Sequence, residues 1–132
     1  MKLHYHNHGF EYEQFENKCL LDWMAEETDP EKWGFILDVY WTQFGGRSPS
    51  RQIIELGDRI DVIHFKDMKM HGHEHRFAAV MDGNLDFDAI LDACREVGIQ
   101  YAMIEQDDCY DRDPFDELAL SAKNLIAAGC RF

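Results

Sequence analysis

Short apolar runs alternate with amphipathic segments along the whole 132-residue chain. Residues 2–6 read as a strand and residues 19–27 as a helix. Residues 34–38 (Gly-Phe-Ile-Leu-Asp) form a continuous apolar run of strand length, residues 61–66 a β-branched run, and residues 101–105 a further strand. Between the last two, a polar loop leads to a short run at 77–81, read as one more strand. Helix starts are marked by local chemistry. Ser48-Pro49 supplies an N-cap with proline at the first helical position, for a helix that runs to Leu56 and stops at Gly57. Asp86 caps a segment in which Phe87, Ile90, Leu91, Cys94 and Val97 recur at helical spacing, with Gly98 as its stop. Asp113-Pro114 repeats the cap-plus-proline start, and Phe115, Leu118, Ala122, Leu125 and Ile126 make an apolar stripe ending at Gly129. About five strands alternating with about four helices predict an α/β chain of parallel β/α units, in one domain over residues 1–132 with no linker. In such folds the chemistry sits at the strand C-termini.

Composition narrows the function classes. The chain is 45% hydrophobic and 13% aromatic, which is globular rather than disordered. A formal net charge of −13 opposes binding to nucleic acid or to anionic membrane surfaces, which recruit basic patches. No apolar run approaches the roughly 20 residues of a membrane span, and no signal-peptide core follows Met1-Lys2. The four cysteines, Cys19, Cys94, Cys109 and Cys130, are scattered, with no pair at zinc-knuckle or redox spacing. Reduced thiols in a cytoplasmic protein are expected.

The strands end in chemistry. His4, His6 and His8 alternate at the N-terminus, so in an extended strand they share one face. Glu11 follows in the next loop. The second strand ends at Asp38, the third carries His64 and Lys66 on the face of Val62, and the last ends in Glu105-Gln106-Asp107. Ionisable groups are costly to bury singly, so their recurrence at one end of the sheet points to convergence on a charge or ligand. Carboxylates with histidine suit an octahedral Mn²⁺ or Mg²⁺, with Zn²⁺ and Co²⁺ as further candidates. Each residue also has a plainer role: a cap for Asp38, a satisfied core histidine for His64, an ion pair to Asp67 or Asp107 for Lys66. Trp41 and Phe44 are equally pocket walls or core. The run His71-Gly72-His73-Glu74-His75 is an exposed loop outside the site.

Four motifs in series carry a resemblance: Tyr5-His6-Asn7-His8-Gly9-Phe10-Glu11-Tyr12, Leu37-Asp38-Val39-Tyr40-Trp41, His64-Phe65-Lys66-Asp67 and Ile104-Glu105-Gln106-Asp107. Together they resemble the strand-end motifs of the xylose-isomerase-like TIM barrels, in the sugar phosphate isomerase/epimerase branch that includes the inosose dehydratases. The resemblance implies a divalent metal, usually manganese, held by Asp38, His64, Glu105 and a residue of the first strand. Many relatives carry glutamate at the end of that strand, where this chain has His6. Glu11 is the preferred first ligand, with His6 and His8 as substitutes or as substrate-facing acid/base groups. Glu105 would combine ligation with proton transfer, and Lys66 would stabilise oxyanion charge.

The implied activity is isomerisation or epimerisation of a sugar or keto-sugar through an ene-diolate. Alternatives are a lyase of the inosose-dehydratase kind, or a catalytically silent barrel fragment that assembles with another chain. The implied ligand is a small sugar or polyol. A complete barrel has eight strands in about 250 residues, and this chain matches only the part from the fourth strand onward. A partial barrel with open edges is expected to pair with a copy of itself or with a complementing N-terminal half-barrel chain.

Overall fold

A computed structural model describes residues 1–131. In chain order these form β1 (Leu3–His6), a 3₁₀ turn (Phe10–Tyr12), a two-residue ribbon of β2 (Gln14–Phe15) and β3 (Lys18–Cys19), and α1 (Leu20–Glu27). Next come β4 (Trp33–Asp38), α2 (Val39–Phe44), α3 (Pro49–Leu56) and β5 (Ile60–Phe65). The rest comprises β6 (Asp67–His71), β7 (Glu74–Ala78), α4 (Phe87–Val97), β8 (Ala102–Ile104) and α5 (Pro114–Ala127).

Four strands form one parallel sheet in the order β1-β4-β5-β8. The chain is therefore α/β with a parallel sheet, as its strand–helix alternation predicts, and forms the partial barrel that the resemblance implies. Two details differ from the sequence reading. The run at 77–81 contributes no parallel strand. Instead β6 and β7 pair antiparallel, with Met68 opposite Phe77 and His71 opposite Glu74, so the presumed polar loop is a hairpin. Its polar residues fall on both faces, which erases the period-2 signal. The second is α2, an additional helix that follows β4 without a break. Asp38 ends the strand and caps the helix at once, its Oδ1 accepting the Trp41 amide at 3.0 Å.

Helix boundaries follow the local signals. Asp86 accepts from Ala89 N at 3.0 Å, and Asp113 accepts from Phe115 N at 2.8 Å. Gly98 closes α4 at φ +84°, a left-handed conformation that glycine adopts without strain.

The core lies on one face of the sheet. Phe35, Leu37, Ile63 and Phe65, alternate residues of β4 and β5, are buried with Ile53 and Leu56 of α3, Phe87, Ile90 and Leu91 of α4, and Leu125 of α5. Each such side chain contributes roughly 1.5–3 kcal/mol through burial. The intervening residues point to the other face, which has no helical layer. Met103 on β8 is 57% exposed there. The strands are thus covered on one side only, and β1 and β8 are both free edges among the described residues. At the N-terminal end of this face, Lys2 and His4 both reach Asp61 Oδ2, at 2.7 and 3.1 Å. They meet over Gly34, where a Cβ would lie 1.9 Å from that oxygen. No helix among the described residues is long and apolar enough to cross a membrane.

Candidate metal centre

The C-terminal ends of the four parallel strands each deliver one residue to a single cluster. His6 ends β1, Asp38 ends β4, His64 lies one residue from the end of β5, and Glu105 follows β8. Register places Asp38 opposite His64, and Glu105 N donates to Phe65 O at 3.1 Å, aligning the third and fourth contributions. One donor atom from each of the four side chains lies within 4.8 Å of all the others. His6 Nε2 is 3.4 Å from Asp38 Oδ2, and His64 Nδ1 is 2.6 Å from Glu105 Oε2. The His6 and His64 rings sit 4.7 Å apart. Two imidazoles and two carboxylates form a donor set suited to a divalent ion, and the residues present fit one.

Asn7 fixes the most buried member. Its Oδ1 accepts from Asp38 N at 2.8 Å and its Nδ2 donates to Asp38 O at 3.4 Å, clamping the end of β4 from β1. Asn7 is 1% exposed. The only sequence signal for it is its place between two histidines.

Glu11 lies outside this cluster. Gly9 begins the 3₁₀ turn that folds Glu11 back beneath β1, where it is fully buried. One carboxylate oxygen accepts the Tyr5 hydroxyl at 2.8 Å and the other accepts His8 N at 2.8 Å. Burial and then the Glu11 acceptor push the Tyr5 phenol up to about 12. Glu11 therefore organises the loop after β1, and His6 occupies the position beside Asp38. The three N-terminal histidines also separate. His4 pairs with Asp61 away from the cluster, while the half-exposed His8 sits past the strand end, 5.0 Å edge-on to His6 and 5.5 Å from Trp41.

Lys66 is 1% exposed, with Nζ 3.1 Å from Asp38 Oδ2, 3.1 Å from Glu105 Oε2 and 2.9 Å from Asp107 Oδ2. Burial draws its ammonium pKa down, but Asp38, and then the hydrogen bonds to Asp107, Asp38 and Glu105, leave it raised. Glu105 shows the reciprocal balance. Burial would raise its carboxyl, yet Lys66 and then His64 hold it below the ordinary carboxylate range. Asp67 is not a partner of Lys66. It is fully buried and accepts the amides of Met68, Met81, Gly83 and Leu85, pinning the segment after β7.

An aromatic wall borders the cluster. Tyr40 and Phe77 rings lie 4.7 Å apart, Trp41 contacts both, and Phe44 stacks on Tyr40 at 6.2 Å. Phe77 reaches this wall from the β6–β7 hairpin rather than from a separate strand at 77–81. His75 joins it edge-on to Phe44 at 5.8 Å, whereas His71 and His73 stay exposed on the hairpin tip. Cys19, Cys94, Cys109 and Cys130 are all free thiols.

Comparison with known proteins agrees with the partial-barrel fold. The family model described as xylose isomerase-like TIM barrel matches residues 1–127. An inosose dehydratase of Lacticaseibacillus casei is 29% identical over 145 residues, a match spanning 97% of this chain and 48% of that protein. The chain thus spans about half the length of the curated relatives it matches. A sugar phosphate isomerase/epimerase from Parabacteroides distasonis superposes with TM-score 0.77 at 29% identity, over 93% of this chain and 44% of that one. The IolI protein, whose crystal structure holds a zinc atom, shares the fold at TM-score 0.59 and 19% identity, over 74% of this chain and 37% of its own.

Proposed function

Because the chain belongs to the xylose isomerase-like TIM barrel family, we propose that it carries the metal-binding part of an isomerase or epimerase acting on a sugar or keto-sugar. The observation that carries this reading is the convergence of His6, Asp38, His64 and Glu105 within 4.8 Å, one from each parallel strand. These four would hold a divalent ion, with Mn²⁺ the first candidate. When bound, the ion would polarise a substrate carbonyl and offset the charge of an ene-diolate.

The chain's own residues do the rest. Glu105 engages His64 and Lys66 through Oε2, which leaves Oε1 to take the substrate's acidified proton. His8, beside His6 and Trp41 on the exposed rim, would return a proton from Nε2 to the neighbouring carbon or oxygen. Trp41, Tyr40 and Phe77 would present an apolar wall to the ring of a sugar or polyol and exclude water from that side. Lyase chemistry of the inosose-dehydratase kind is the second reading, favoured by the relative that matches 97% of this chain. It would use the same residues, with His8 protonating a departing hydroxyl.

The uncovered sheet face and the free edges of β1 and β8 support assembly with a second copy or with a complementing N-terminal half-barrel chain. Either would wall the open side of the site. Size-exclusion chromatography with light scattering tests this, and a cooperatively melting monomer would overturn it. For the activity, metal analysis of the purified chain is followed by proton exchange on ketoses in deuterated water. Bound metal with exchange supports isomerase chemistry, and loss of water supports the lyase. Absence of both metal and exchange would leave a silent fragment.

A further inference from the structure

Lys66 and a metal ion would use the same oxygens. Asp38 Oδ2 and Glu105 Oε2 are the carboxylate atoms that face the histidines, and both lie 3.1 Å from Lys66 Nζ. The third oxygen, Asp107 Oδ2 at 2.9 Å, belongs to a side chain that is 40% exposed and lies outside the four-residue cluster. An ammonium has three N–H donors, and three carboxylate oxygens meet them. The faces of Trp41 and Phe77 lie 5.6 and 5.8 Å from Nζ. Lys66 has no spare donor for a substrate oxygen in this arrangement.

We propose that Lys66 is an internal cation that competes with the divalent ion for Asp38 and Glu105, and that Asp107 draws it aside when the ion binds. The inference rests on the metal reading above and deepens it: Lys66 sets the affinity of the site. Its ammonium offsets part of the negative charge of buried Asp38 and part-exposed Glu105 while the ion is absent. Arrival of the ion moves that charge onto Asp107 and releases donors that were saturated, so Lys66 becomes available to substrate only in the loaded site.

Two substitutions with opposite effects test this. Titration of the 132-residue chain with Mn²⁺ alone, followed by calorimetry, gives the affinity directly without any activity. Lys66→Met removes the competitor and is expected to tighten Mn²⁺ binding by at least about tenfold. Asp107→Asn leaves Lys66 with only the two ligand carboxylates and is expected to weaken binding by several-fold. A merely structural lysine would weaken binding when replaced, so equal or weaker affinity in Lys66→Met overturns the proposal. Should that variant fail to fold, Asp107→Asn decides alone, and unchanged affinity there overturns it. Mn²⁺ binding by the wild type with neither shift sinks this inference only. No binding by wild type or variants sinks the metal reading as well.

Discussion

Asp38 accepts the backbone N–H of Trp41 through one carboxylate oxygen while presenting the other to His6 and Lys66. The same side chain therefore starts a helix and closes the candidate site. The two roles separate by substitution. Asp38→Asn retains an oxygen acceptor for the cap but removes the charge, so divalent metal binding should be lost and buried Lys66 should lose one of its three carboxylate partners. Asp38→Ala should lose metal and a further ~1 kcal/mol of stability from the missing cap. Metal titration and denaturant melts of both variants check this. Retention of metal by both would remove Asp38 from the ligand set.

A second prediction concerns the segment after the hairpin. Asp67 satisfies four amides from inside the protein, and Gly83 packs directly on it. A Cβ at position 83 would lie 2.4 Å from Asp67 Oδ1 and 2.5 Å from the Met68 carbonyl. Gly83→Ala should cost about 1–3 kcal/mol by overpacking against backbone. Asp67→Ala should cost at least ~3 kcal/mol by leaving buried amides unpaired. Urea midpoints measure both.

Thiol chemistry gives a third. Burial pushes Cys94 up to about 12 and raises Cys19, and both side chains are almost wholly inside. Iodoacetamide at pH 8 should leave both unmodified in the folded chain and label both in urea. Peptide mass spectrometry reads the outcome directly.

The phenols fix the response to alkali. Burial is the largest cause raising Tyr5, Tyr12 and Tyr40, with Tyr5 at about 12 against an ordinary value of 10.0. A folded-state value above the unfolded one means that the stabilisation is full below pH 10 and is lost as pH rises through about 12. Phenolate absorbance should lag behind that of free tyrosine and then rise together with unfolding. Tyr5→Phe, which cannot ionise there, should move the alkaline transition to higher pH.

Much of this was legible in the sequence because the signals are local. Ser48-Pro49, Asp86 and Asp113-Pro114 mark helix starts through side chains that bond to amides two or three residues on. Asp38, His64 and Glu105 could be read as site residues because each breaks an otherwise apolar strand at its end. The helix Val39–Phe44 was hidden because it begins on the strand's last residue, so no punctuation separates them. The separation of Glu11 from the cluster has a different reason. Nothing in its spacing reveals that a 3₁₀ turn folds it back against Tyr5 and His8.

The four candidate ligands come one per strand from adjacent strands, in chain order. This confines the ligand set to one contiguous arc of the barrel wall. Changes at residues that do not touch this arc would leave the candidate ligand set in place, so contact with a small molecule and retention of an ion would be separable properties of such a site.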